Sequence, residues 1–579
     1  MKKIVYIAAL TLVMMPAAAQ DTYENARLLG SDLNGTARYV GMGGALDALG
    51  ADISTINTNP AGIGMFRHDY AGLSFGVVSQ EDAKKFDQVG KTNMSFDQAG
   101  FVYSTRTGEN SYINFAFNYH KSRNFDQILS AANDMHRHNG QGASLGKLAY
   151  GKSALGRDDK GGYYLIEEPT DGGSNYLVDG WRNRSSMGRA YTYTQWDHVY
   201  TNGLTWDNVN LPAEDGEWSP YYNNYGIYFN NTFFEASDYA FDRAHSGWIS
   251  DYDFNMSGNI NNRVFLGITV GLHSVDYKGY SEYQEFLVDS RDQFIGNTVM
   301  ADERRVTGTG ADVKIGAIFR PFEYSPFRIG LSIGTPIWYD LKTRNTTLLI
   351  NATDYYALHP DFANWGHDEF SSGETYEFKY YTPWKFGLSL GHTVGNYLAL
   401  GAGIDYSDYS ASDNRINDGY DDYGNPDSYS DDVMNKHTEN TLKGVATVKV
   451  GAEYKPDPSM AVRFGYNYVS PMYKKDGVRD TRLNSLGNWY SSTADYTNWE
   501  ATHRITCGFG YKYEGWNFDI AYQYNGTKGT FYPFQPDLKF VDPIPSATTG
   551  QAVSETNIST PTSVNFKRHQ VLLTVGYTF

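Results

Sequence analysis

Cysteine is almost absent: the 579 residues contain one, Cys507. A single thiol excludes an intrachain disulfide framework and any cysteine-cluster metal site. Positive charge is also short, with 48 Lys and Arg against 66 Asp and Glu, a net charge of -18. That balance argues against a dedicated nucleic-acid binder, which shows a basic stripe. Long apolar runs are missing too. Beyond the extreme N-terminus no run of about 18 apolar residues exists to cross a bilayer as a helix, and the mean hydropathy is -0.52. What the chain does have is 48 Tyr, 59 Gly and an aromatic share of 16%.

The N-terminus reads as an export signal. Met1-Lys2-Lys3 is basic, Ile4 to Met15 is apolar but too short to span, and Ala17-Ala18-Ala19 offers small residues before a cut. Residues 1–19 are therefore expected to be a signal peptide, with the mature chain starting at Gln20. No Cys follows, so a lipoprotein is excluded. An exported chain without a later helical span is periplasmic, secreted or an outer-membrane barrel.

The C-terminal stretch separates these. Val571, Leu573, Val575, Tyr577 and Phe579 fall on one face of a strand, Leu572, Thr574, Gly576 and Thr578 on the other. Period-2 alternation ending on aromatics suits a lipid-facing row that finishes at a membrane interface. Bacterial assembly machinery is the expected partner of such a Phe579-terminated strand. The pattern recurs in pairs. Val264, Leu266, Ile268, Val270 and Leu272 alternate with Phe265, Gly267, Thr269, Gly271 and His273. Trp384, Phe386, Leu388 and Leu390 alternate with Lys385, Gly387, Ser389 and Gly391. One face is apolar; the other carries Gly, Ser and charges of both signs, as a filled or hydrated lumen requires. The expected fold is all-β: a transmembrane antiparallel barrel of about 14 strands over residues 70–579, with an N-terminal plug in its lumen. Tight turns at Asn261-Asn262, Gly395-Asn396, Asp457 and Gly515 lie on one side, and long connections on the other. The longest, about residues 121–250, is expected to fold as an extracellular cap with helical turns near Phe125–Asn133 and Phe234–His245.

Residues 20–69 do not alternate. They are rich in small residues, notably Gly41, Gly43, Gly44 and the run Asn59-Pro60-Ala61-Gly62. Small residues let backbone pass close to backbone, and Asn-Pro initiates a turn. Some 50 residues of this kind fit inside a barrel of that size, which would otherwise be an open channel. On Arg38 to Asp52 and Asn59 to Gly62 the chain resembles the FadL/TodX (OmpP1) family of outer-membrane transporters for hydrophobic compounds. The resemblance implies a hatch formed by this segment, with Gly41, Gly43, Gly44, Asn59, Pro60, Ala61 and Gly62 at its turns, and a 14-stranded barrel. It also implies passive passage of a hydrophobic ligand, with long-chain fatty acids or similar compounds expected. PorV-like barrels of type IX secretion share the hatch ending near Asn-Pro-Ala, so a structural or shuttle role binding protein partners is the alternative. A haem or other ligand receptor is a third. TonB-coupled receptors carry a larger plug and a TonB box that this sequence lacks.

Other motifs weaken on inspection. Three Gly-x-Ser-x-Gly matches (Gly72–Gly76, Gly330–Gly334, Gly387–Gly391) sit mid-strand with Ser on the glycine face, whereas a nucleophile elbow needs strand, turn and helix. Gly41-Met42-Gly43-Gly44 imitates a dinucleotide loop but has Leu46 where a small residue belongs. His136 and His138 read as solvated loop residues. The Asp413–Asp432 run lacks EF-hand spacing, and Cys507 falls on the apolar face. Lys385, Lys443, Arg463, Arg504 and Arg568 are the cations that face the lumen, available to a ligand carboxylate or to internal partners such as Glu453, Asp519 or the hatch. No catalytic group, cofactor or metal site is expected. The expected partners are outer-membrane lipid, lipopolysaccharide and a hydrophobic small molecule.

Overall fold

The computed structural model describes residues 21–137, 140–157, 163–165, 206–207, 231–232, 234–288, 292–353, 368–420, 424, 426–481, 483, 485, 487–490, 493–536, 538–542 and 553–579. The signal-peptide reading of residues 1–19 lies outside them, as do His138, Asp421 and Asp422. Fourteen antiparallel ribbons close into a barrel. We number them β1 (Tyr70–Gln80), β2 (Thr92–Arg106), β3 (Tyr112–Asn124), β4 (Glu235–Ile260) and β5 (Val264–Val288). Next come β6 (Phe294–Phe319), β7 (Arg328–Gly334 and Trp338–Thr353), β8 (Asp368–Tyr381 and Lys385–Val394) and β9 (Leu398–Asp408 and Asp413–Tyr420). The circuit ends with β10 (Gly444–Asp457), β11 (Met460–Val469), β12 (Tyr496–Tyr513), β13 (Trp516–Tyr532) and β14 (Thr562–Thr578). Tyr70 to Gln80 of β1 pair with Thr578 to Arg568 of β14, which closes the ring.

The alternating faces point as their chemistry requires. Leu573 is 41% exposed while its neighbour Leu572 is fully buried. Leu266, Ile268, Val270 and Leu272 of β5, Leu388 and Leu390 of β8, Phe464 of β11 and Ile505 of β12 all face outward. A continuous apolar belt of this extent has no counterpart on a water-soluble monomer. It is a lipid-facing surface, with Tyr397, Tyr454, Tyr513, Trp516 and Phe579 at one rim and Trp248, Trp338 and Trp384 at the other. Cys507 is exposed on this outer face. The tight turns at the first rim use left-handed backbone: Asn261 and Asn262 have φ of 52° and 54°, and Glu514 and Gly515 have 45° and 87°. Two successive positive φ values give the hairpin twist that fits flanking strands.

The expected helical turns at Phe125–Asn133 and Phe234–His245 are not formed. Gln127–Asp134 is a strand, paired antiparallel with β4 from Gln127 opposite His245 to Asp134 opposite Asp238. Strands β4, β5 and β6 run 25 or 26 residues, far beyond the ten or so that cross a bilayer. Past Leu272 the outward positions of β5 become Asp276, Lys278, Tyr280 and Glu282, so this part of the wall stands in water. Inside it, Leu129, Leu145, Leu148, Tyr239, Phe241, Tyr283, Phe531 and Phe534 pack into an apolar core that caps the barrel.

Glu285 is buried in that cap. Its Oε1 accepts from the Tyr283 hydroxyl and the Leu145 amide, both at 2.8 Å, while Oε2 has no hydrogen-bond partner among the described residues. Burial pushes its carboxyl up to about 7. Folding therefore holds a proton that the unfolded chain releases near pH 4.5. This contribution favours the folded cap below that pH and fades as pH rises through 7. At pH 8 the Glu285→Gln variant is expected to stabilise the cap by about 3 kcal/mol, with no gain at pH 4. Amide exchange along β4 and β5 at the two pH values reads this, and equal protection at pH 8 would disprove it.

Candidate functional site: a chamber above a plugged lumen

The N-terminal segment occupies the lumen as a chain of short turns. Thr36 caps the helix Ala37–Gly41 by accepting from the Tyr39 amide. Asp52 caps Ile53–Asn57, and Asn59 caps Pro60–Met65 with Pro60 at its first turn. Capping residues at this density explain why no long helix forms.

The wall receives these turns in glycine notches. A side chain at Gly267 would strike Pro60, one at Gly316 would strike Asn59, and one at Gly401 would strike Ala45. The same holds for Gly451 against Met42 and Gly465 against Gly43, while Gly508 lies against Gly41. Gly43 itself has φ 63° and would meet the Tyr466 backbone at 2.8 Å if it carried a Cβ. Glycine on the inner face therefore lets plug and wall backbones touch. The orphan plug carbonyls are met from the wall: Thr506 donates to Gly41, Asn467 to Gly43, Arg328 to Leu49, Thr269 to Ile56 and Asn114 to Ile63. Two charge clusters add to the seal. Arg38 of the plug and Arg463 of β11 share Glu453 at 3.1 and 2.7 Å. Lys449 of β10 bridges Asp47 of the plug at 2.8 Å and Asp405 of β9 at 2.7 Å.

Above the plug lies a chamber of about 380 Å³. Tyr23 and residues 26–34 form part of its wall, with Tyr23 stacked on Tyr473 (5.1 Å) and tilted against Tyr496 (4.8 Å). Phe125, Tyr339 and Tyr473, with Ile249, supply an apolar, mainly aromatic collar. Arg504 and Arg568 face Asp32 at 3.8 and 3.2 Å, and the Nε of each has no hydrogen-bond partner among the described residues. The chamber thus combines aromatic rings with two guanidinium groups that meet at Asp32.

Three neighbouring ribbons break at one height beside it. β7 is interrupted at Thr335-Pro336-Ile337, β8 at Thr382-Pro383-Trp384, and β9 over residues 409–412. Proline has no amide hydrogen for the ladder. Threonine hydroxyls repair part of the loss: Val313 donates to Thr335 Oγ1 at 3.0 Å, and Ile337 to Thr382 Oγ1 at 2.8 Å. Thr335, Ile337, Thr382, Pro383 and Tyr409 line the chamber, while Trp338 and Trp384 flank the break on the outside.

Of the five cations expected in the lumen, Lys385, Arg504 and Arg568 line the chamber. Arg463 is held below it between Glu453 and Asp519 (2.5 Å) in the plug seal, and Lys443 is not part of the chamber lining. The expected hatch residues Gly41, Gly43, Asn59, Pro60 and Gly62 sit at the turns and notches; Gly44 has φ 79° and Ala61 is fully buried. Sequence reading missed Asp32, Asp47, Tyr23 and Lys449, and had no means of pairing them, because each partner lies hundreds of residues away. It also missed the breaks, although Thr-Pro recurs at Thr335-Pro336 and Thr382-Pro383. The Ser of all three Gly-x-Ser-x-Gly matches lies mid-strand, and Ser74 is hydrogen-bonded to Thr574 at 2.7 Å. His136 is exposed.

Fold and site define a transmembrane β-barrel closed by its own N-terminal segment. No family model matches the sequence, and no curated protein matches it. Among solved structures the chain is similar to a Pseudomonas aeruginosa FadL homologue at 12% identity, over 95% of this chain and 99% of that one, with a TM-score of 0.45. It is also similar to the Ralstonia pickettii toluene transporter TbuX (11% identity, 94% and 99%, TM-score 0.42) and to the P. putida toluene transporter TodX (12%, 95% and 99%, 0.41).

Proposed function

We propose that the chain is a passive conduit of the bacterial outer membrane for hydrophobic small molecules that carry an anionic end, long-chain fatty acids or similar compounds. The observation that carries this reading is the chamber itself. It is floored by the plug and lined by aromatic rings together with the guanidiniums of Arg504 and Arg568, each with an Nε that has no hydrogen-bond partner among the described residues. Its volume falls in the range of small-molecule sites. An apolar tail gains by leaving water for the Tyr and Phe collar, and a carboxylate gains charge-assisted bonds from Arg504 and Arg568. The broken ladders at Pro336 and Pro383 supply the weakest stretch of wall beside the chamber, and the lipid-facing Trp pair marks where a ligand leaves sideways. No energy source is required for downhill movement.

Mass spectrometry of apolar molecules retained by the detergent-extracted protein is the first test. Replacing Arg504 and Arg568 together by Met is expected to weaken retention of a labelled long-chain fatty acid by about 10- to 100-fold, the worth of one or two charge-assisted hydrogen bonds. Retention of an uncharged hydrocarbon of similar length should not change. Equal retention of the fatty acid by both proteins would overturn the assignment. The tall aqueous wall of β4 to β6 supports a second reading, a barrel that docks a secretion partner. A stoichiometric protein partner recovered with no apolar molecule retained would favour it.

A further inference from the structure

A row of ionisable side chains crosses β3 to β6 inside the wall, level with residue 57 of the plug. His120 of β3 stands opposite Asp251 of β4 in the strand register, and Asp253 follows two residues along on the same inner face. His273 of β5 is also opposite Asp251. Gly271 of β5 leaves the space that the carboxylates of Asp253 and Asp312 and the amine of Lys314 fill.

The hydrogen bonds are sorted by oxygen. Asp251 Oδ1 accepts from Ser122 Oγ at 2.8 Å and lies 2.7 Å from His273 Nδ1. Asp253 Oδ1 faces Lys314 Nζ at 3.4 Å. Each carboxylate thus uses Oδ1 for an outer partner. Each leaves Oδ2 directed at His120, 3.8 Å from Nε2 for Asp251 and 3.6 Å from Nδ1 for Asp253. Asp253 is fully buried, and its Oδ2 has no hydrogen-bond partner among the described residues. The carboxamide of Asn57 closes the plug side: its nitrogen lies 2.7 Å from His120 Nδ1, and its buried oxygen has no partner among the described residues.

The outer partners leave one oxygen over. His273 has carboxylate oxygens at both ring nitrogens, Asp251 at 2.7 Å and Asp312 at 3.0 Å. Lys314 Nζ lies 3.0 Å from Asp312 Oδ1 and 3.4 Å from Asp253 Oδ1. Asp253 Oδ2 is buried beside His120 with no hydrogen-bond partner among the described residues. A buried carboxylate is paired, neutralised or bound to a metal.

We propose that His120, Asp251 and Asp253 bind a divalent transition-metal cation, of the zinc type, with the Asn57 carboxamide as a fourth donor from the plug. Candidate ligand atoms of the three wall residues lie within 4.8 Å of one another. A mixed set of one imidazole nitrogen and carboxylate or amide oxygens suits zinc, manganese or iron(II); calcium takes six to eight oxygens, more than converge here. Ser122, His273 and Lys314 are the outer partners that orient ligating carboxylates. The ion staples the plug to β3 and β4. Sequence spacing carries no signature of it, because the ligands come from residues 57, 120, 251 and 253.

The test uses the full chain extracted in detergent, stripped with chelator and dialysed against Zn²⁺ or Ca²⁺ separately. About one equivalent of zinc per chain and no calcium should be retained, and zinc should raise the temperature of unfolding. Cobalt(II) in place of zinc should give the visible absorption of nitrogen–oxygen ligation. Asp253→Asn and His120→Gln should each lower zinc retention at least tenfold, whereas Asp519→Asn, in the separate Arg463 cluster, should not. Less than a tenth of an equivalent in the unaltered protein overturns the proposal without recourse to any variant. So does undiminished zinc in both ligand variants.

Discussion

Deleting residues 21–65 should convert an electrically silent protein into an open pore. In planar bilayers the intact chain is expected to hold close to baseline current, and the shortened chain to conduct at least about tenfold more. The reasoning is geometric. Barrels of eight strands fill their interior with side chains, whereas wider ones leave water unless something else occupies the space. Here that occupant is the N-terminal segment, and the wall residues around it are shaped to receive backbone. Gly267, Gly316, Gly401, Gly451 and Gly465 contribute nothing to fill the space once the plug is gone. The charged residues that the deletion uncovers, Glu453, Lys449 and Asp405, then meet water instead of Arg38 and Asp47. The barrel itself should persist, because its ladders and lipid-facing belt are untouched; heat-modified migration on a gel checks this. A shortened protein that folds but passes no more current than the intact one would remove the plug's role as a seal.

Lys449→Met is expected to have the largest effect of any single substitution. The ammonium is buried and holds two carboxylates from different parts of the molecule, Asp47 in the plug and Asp405 in β9. Removing one partner of a buried pair costs about 3–5 kcal/mol, because the abandoned charge stays desolvated. The burden falls unequally. Asp405 keeps Lys385 at 3.7 Å, while Asp47 keeps only the hydroxyl of Thr58 among its described side-chain partners. The plug should therefore loosen before the wall does. Amide exchange over residues 41–65 should accelerate by about two to three orders of magnitude, and exchange in β12 to β14 should not. Adding Asp47→Asn to Lys449→Met should restore much of the protection. Unchanged exchange in the single variant would show that the pair is not what holds the plug.

The sequence is informative about this molecule to different depths at different levels. Alternation within the bilayer is forced, since one face meets lipid and the other does not. Leu266 to Leu272 and Val571 to Leu573 could therefore be assigned to their faces from period alone. Above the bilayer that constraint lifts. In β4 the outward residues meet water and the inward ones meet the cap, and Asp238 and Asp242, four apart, are spaced as on one face of a helix although Tyr239 and Phe241 alternate as on a strand. The helical expectation failed for that reason. The plug's glycines were legible as sites of close approach, but their partners were not, because the matching glycines are scattered from Gly267 to Gly508. Charges in the lumen were legible as inward-facing and no further. Arg463 and Arg504 look alike along the chain. Only the strand stagger separates the one in the plug seal from the one lining the chamber.

The closing contact between β1 and β14 has a bearing on biogenesis. Those two ribbons are the first and last to leave the ribosome, and their eleven matched positions join only after everything between them is laid out. The leader of the mature polypeptide is by then tethered to β1 and gripped from all sides by backbone too close to let it slide through a finished ring. Insertion must therefore wrap the cylinder around its stopper, as a cooper bends staves about a form, and mutations in the stopper should surface as defects of membrane assembly before they surface as defects of passage.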